Sequence, residues 1–171
     1  WNWQICGEAI FSGEEERATV DRRIHSYSRQ IAALEHMLAR TDDPAALWQG
    51  KLVLYVDAIS RDRTDKIIPY GEAFDKEVER QILPDGGHVS RAPSSTLHAL
   101  HDLIVLRNLL ADKGQVPSPL IQRYLPRLAG MVDFFTAGDG GLLPFNGGYE
   151  ARKEFVSAVI LAAPLGEARL L

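Results

Sequence analysis

The sequence predicts an all-α fold made of antiparallel helical hairpins, and three features of the chain predict it. Apolar residues recur with the period of a helix along nearly every long segment. Proline, serine and glycine stand where helices start and stop. No convincing segment alternates apolar and polar residues as a half-buried strand does. With 171 residues, 46% hydrophobic and 25% charged, the chain is long and apolar enough to bury a core.

The elements follow in order. Val20, Ile24, Tyr27, Ile31, Leu34 and Leu38 mark one buried face of a first helix, and Ser12 with Glu15 forms a capping-box pattern that would start it. Asp43-Pro44 offers an N-cap and a first turn to a second helix running towards Asp57 with Leu47, Val53, Leu54 and Ile59. A third is expected from near Pro69 to Leu83, because Pro84 disfavours helical geometry in the residue before it. Ser94 or Ser95 would cap the next helix. Its Leu97, Leu100, Leu103, Ile104, Leu106, Leu109 and Leu110 cover more than one face, and Gly114 stops it. Ser118-Pro119 opens a helix to Phe135 with Pro126 inside it, and a glycine-rich loop from Gly138 to Gly148 leads to a last helix from about Glu150 to Ala162. The expected count is roughly seven helices in one domain over residues 1–171, with no repeat at a fixed period and so no solenoid motif.

A formal net charge of -4 argues against a general nucleic-acid binder, although a local arginine cluster could still hold an anionic sugar. The single cysteine, Cys6, rules out an intramolecular disulfide and leaves cytoplasm and periplasm both open. No apolar run approaches the ~18 residues that span a bilayer, and no signal peptide is visible. The chain begins at Trp1, so an upstream segment is expected.

Among single residues, His88 follows two glycines that let backbone approach a ligand or a neighbouring segment. Arg91 can hold a carboxylate or sulfate in a bidentate fork, or pair with a nearby acid. Asp85 reads as a turn residue bonding its own backbone. Asn146, before Gly147-Gly148, is a turn signal first and a sugar donor second. Tyr149 can stack on a sugar ring or pack on the final helix. His98 and His101 could share a helix face, yet only Asp102 and His88 lie within reach to complete a metal site, so no metal is expected. Trp1 and Trp3 read as docking residues, Cys6 as a small buried hydrophobe, and the stretch from Arg61 to Lys66 as a solvated loop.

Two loops carry a resemblance. Gln81-Ile82-Leu83-Pro84-Asp85-Gly86-Gly87-His88-Val89-Ser90-Arg91-Ala92-Pro93 and Phe134-Phe135-Thr136-Ala137-Gly138-Asp139-Gly140-Gly141-Leu142-Leu143-Pro144-Phe145-Asn146-Gly147-Gly148 together resemble the heparinase II/III-like family of polysaccharide lyases. The resemblance implies an incomplete α/α toroid, followed in the full-length family by a C-terminal β-sandwich that this chain lacks. It implies β-elimination on uronic-acid polysaccharides, which needs a neutraliser for the carboxylate, a base and an acid. His88 would be catalytic, with Arg91, Asn146 and Tyr149 binding an anionic polysaccharide and no cofactor required. The family's Asn-His pair is not matched in the stretch Ala46 to Leu52, and Ser95 stands where its tyrosine would be. The isolated chain is therefore expected to be inactive, the alternative being a non-catalytic glycan-binding or architectural domain. A second copy or the absent sandwich would cover the apolar surface that a partial toroid leaves open.

Overall fold

A computed structural model describes the backbone of residues 14–163 and the side chains of residues 26–163. Six helices stand among the described residues: α1 Glu14–Leu38, α2 Pro44–Ser60, α3 Thr64–Gln81, α4 Pro93–Asp112, α5 Pro119–Phe134 and α6 Lys153–Ala162. Those residues contain no strand, only the isolated antiparallel bridges Ile82–His88 and Thr136–Leu142. The fold class is all-α, as the helical periodicity predicts. The expected capping box at Ser12, Cys6 and the two N-terminal tryptophans lie outside the described residues. No described helix is long and apolar enough to cross a membrane.

The chain divides into two compact units, Trp1–Tyr70 and Gly71–Leu171, with the division falling inside α3. In the first unit, α1 packs on α2. Ile31 is buried, and Tyr27, Leu34 and Leu38 beside it are half-buried, as expected of one helix face. The two helices approach closely at Gly50, where a Cβ would fall 2.4 Å from a Leu38 methyl. Asp43 caps α2 as expected, its carboxylate accepting the Ala45 and Ala46 N–H groups while Pro44 takes the first turn.

The charged stretch after α2 is more than a solvated loop. Arg61 and Arg63 reach back to the buried Asp57 at 2.9 and 3.4 Å and hold the turn into the next helix. That helix starts a turn earlier than Pro69, because the Arg63 carbonyl already accepts from Lys66 and Ile67. Pro69 leaves out a single ladder bond without ending the helix. The helix stops at Gln81, since Ile82 and Leu83 enter a hairpin.

In the second unit α4 packs against both α5 and α6, which is why its apolar residues run around more than one face. Leu97, Leu100, Leu103 and Leu106 are fully buried. Neither serine caps α4. Ala92 is the N-cap and Pro93 takes the first position, where the missing N–H would have no helical acceptor. Ser118 caps α5 through the Ile121 N–H and donates to Asp75 on α3 at 2.9 Å, tying the two helices together. α6 begins at Lys153, later than expected.

Candidate functional site

The connections α3–α4 and α5–α6 contain one hairpin built twice. In hairpin 1 the Leu83 N–H donates to Gly87 O, Gly86 to Leu83 O and Val89 to Gln81 O. In hairpin 2 the Ala137 N–H donates to Gly141 O, Gly140 to Ala137 O and Leu143 to Phe135 O, the same ladder at the equivalent residues. The leading glycine of each turn has positive φ, 89° at Gly86 and 82° at Gly140, where a side chain is strained. Asp85 accepts from the Gly87 N–H at 2.8 Å and Asp139 from the Gly141 N–H at 2.9 Å. Both are turn residues bonding their own backbone, as expected for Asp85. The Gly87 N–H and then the Arg91 guanidinium hold the Asp85 carboxyl below the usual range, and Lys153 and then the Gly141 N–H do the same for Asp139.

His88 stands in hairpin 1 where hairpin 2 has the buried Leu142. A polar chain replaces the apolar contact. Buried Glu77 accepts from Arg80 Nη2 at 2.7 Å and from the Gln81 amide, which commits the Gln81 carbonyl oxygen to face His88 Nε2 at 3.1 Å. That oxygen can only accept, so Nε2 carries the proton. Nδ1 in turn accepts the Ser90 N–H at 3.1 Å and has the Ser90 hydroxyl at 2.9 Å. The imidazole is held neutral with both nitrogens engaged, and burial pushes its pKa below the ordinary histidine value. The His88 N–H donates to Thr96 in the first turn of α4, fastening hairpin to helix.

A groove of about 380 Å³ opens beside hairpin 1, lined by Gly87, His88, Arg91, Thr96, Met131, Phe134, Phe135, Phe145 and Asn146. Phe135 is the centre of a ring chain, edge-on to Phe134 and to Phe145 at 5.1 Å each. Phe134 is 75% exposed although it is a large apolar side chain. Arg91 pairs with Asp85 at 2.8 Å, and the Asn146 amide donates to the Arg91 carbonyl at 3.0 Å. Both residues have positive φ, 56° and 51°, a conformation that non-glycine residues hold only where neighbours enforce it.

Three of the four expected site residues, His88, Arg91 and Asn146, therefore share one groove. Tyr149 does not line it. Its hydroxyl is 2.7 Å from His98 Nε2, and the two rings lie 5.7 Å apart on α4's exposed side. His98 and His101 both contact Phe155, and no group of three or more His, Cys, Asp or Glu gathers among the described residues. The aromatic wall went unread in the sequence. Phe134, Phe135 and Phe145 bracketing one glycine-rich loop were the available signal.

No family model matches this chain, and no solved structure does. A stretch of 77 residues, 45% of the chain, is 34% identical to FtsZ-localized protein C of Caulobacter vibrioides (strain NA1000 / CB15N). It spans 13% of that protein's length. These findings overturn the heparinase II/III-like reading. With it go the lyase activity, the uronic-acid polysaccharide as partner and the glycan-binding alternative. The motifs misled for a physical reason: Asp-Gly-Gly is the chemistry of a tight turn with positive φ, and any helix-to-helix connection of this shape can use it.

Proposed function

We propose that this chain is a binding module of a helical protein, and that its groove docks a protein partner belonging to, or held at, FtsZ assemblies. The observation that carries the proposal is the 34% identity over 77 residues to a protein named for its localization with FtsZ. A binding role rather than a catalytic one is supported by His88, whose two ring nitrogens are both engaged inside the hairpin. An open aromatic wall suits recognition of another chain. The helix–hairpin–helix unit built twice supports a stack of such units, of the α/α toroid kind, as the architecture of this chain.

Purified FtsZ of Caulobacter vibrioides passed over the immobilised full chain tests the proposal. Saturable retention is expected. The absence of retention, both for FtsZ alone and for FtsZ in a cell extract, overturns the FtsZ assignment.

A further inference from the structure

We propose that residues 145–149 form a strap latched across the first turn of α4, and that this strap opens as a unit while the helices on either side stay folded. The stretch is anchored at both ends. Leu142 and Ala151 are buried, and the Lys153 ammonium on α6 pairs with Asp139 of hairpin 2 at 2.7 Å. Between Leu142 and Ala151 every residue but Gly148 is exposed, and none belongs to a helix. A stretch that buries so little loses little by leaving. It is held down at three places. Phe145 stands edge-on to Phe135, the Asn146 amide donates to the Arg91 carbonyl at 3.0 Å, and the Tyr149 hydroxyl meets His98 Nε2 at 2.7 Å. Between these holds Gly148 lies on the start of α4. A Cβ added there would fall 3.0 Å from Ser94 Oγ and 3.6 Å from the Ala92 Cβ, and both residues are buried.

The holds are of a kind that lets go. Both hydrogen bonds lie at the surface, where water replaces a lost partner at small cost. Backbone strain favours release. Arg91 and Asn146 both have positive φ, and the Asn146 amide on the Arg91 carbonyl joins the two strained residues directly. Breaking that one bond lets both relax. Gly147, at φ 77°, is followed by Gly148, so the backbone can change its angles there without a side chain in the way. Phe145 and Asn146 also line the groove beside hairpin 1. Opening of the strap carries them away from Phe135 and Arg91 and widens the groove, while Met131 and Phe134 stay in place on α5.

Thiol labelling of the full chain tests the strap, in a Cys6→Ser background that removes the single cysteine. Ser94→Cys places a thiol of nearly the same shape beneath Gly148. Ala129→Cys places one at a buried position on α5 and reports unfolding of the helices. With Ellman's reagent in native buffer, the thiol at position 94 should react about tenfold faster than the one at position 129. Adding Asn146→Ala should raise the rate at 94 about fivefold and leave the rate at 129 unchanged. Equal rates at the two positions would overturn the proposal, because the start of α4 is then uncovered only when the helices themselves open. So would a rate at 94 that neither Asn146→Ala nor Tyr149→Phe changes. If circular dichroism shows that Ser94→Cys does not fold, amide exchange decides instead. The Ser95 and Thr96 N–H groups, which bond the Ala92 carbonyl, should exchange about fivefold faster in the Asn146→Ala chain than in the native one, with α5 unaffected. Unchanged exchange at those two amides would overturn the strap.

Discussion

A Cβ added at Gly86 would lie 2.4 Å from the carbonyl oxygen of Arg127 on α5, so hairpin 1 rests directly on the backbone of that helix. The contact is closed from the other side by Arg127 itself, whose Nη1 donates to the Pro84 carbonyl at 3.0 Å. Gly140, the equivalent residue of hairpin 2, has nothing within 4 Å of its added Cβ.

The twin hairpins thus provide their own control. Both glycines have positive φ, so alanine at either costs about 1 kcal/mol in conformation. At Gly86 the clash with helix backbone adds overpacking, for a total of about 3 kcal/mol. Urea denaturation of Gly86→Ala and Gly140→Ala should show this difference, and equal losses would mean that hairpin 1 is not docked on α5.

A second prediction concerns pH. Burial lowers the His88 pKa in the folded chain, so the unfolded chain binds the extra proton first as pH falls. The stability contributed by neutral His88 is complete above its unfolded pKa, near ~6.5, and declines below it. Protonation would also place an Nδ1–H against the Ser90 N–H donor. Between pH 7.5 and 5.5 the native chain should lose more stability than His88→Leu, which copies Leu142 of the second hairpin. Parallel pH profiles would remove His88 as the cause.

Gln81 joins the buried Glu77 to His88, so its side chain cannot be deleted cheaply. Gln81→Ala leaves the His88 Nε2–H without its acceptor and takes a donor from a buried carboxylate. The expected loss is about 2 kcal/mol. Changes within 0.5 kcal/mol of native, read from thermal and urea unfolding together, would mean that water replaces Gln81 there.

The helical core should respond by burial. Leu103 is fully buried on α4, and Leu103→Ala should cost about 3 kcal/mol through lost contacts and a residual cavity. Leu161 on α6 is 80% exposed, and Leu161→Ala should stay within about 0.5 kcal/mol. Calorimetric unfolding of the two variants separates the cases.

Much of this architecture is local and therefore readable from the chain. The caps Asp43 and Ser118, the prolines that follow them, and the stop at Gly114 act within one helical turn. The turn role of Asp85 is equally local, spanning two residues. Where local signals competed, the reading slipped. The serines after Pro93 could cap, but the proline took the first position, and Pro69 could begin a helix that Arg63 had already started.

The sequence by itself determined that the chain is helical, where most helices begin and end, and that two Asp-Gly-Gly turns join them, because each depends on residues a few positions apart. Only the tertiary structure decided which side chains those turns bring together. It put His88, Arg91 and Asn146 beside Phe134, Phe135 and Phe145, and sent Tyr149 to His98 instead. Residues as distant in the chain as Arg91 and Asn146 meet because α4 and α5 pack together, and that packing is set by the summed burial of many leucines, not by any motif. The same turn chemistry can serve unrelated functions, so the motif alone pointed to a family that the comparisons do not support.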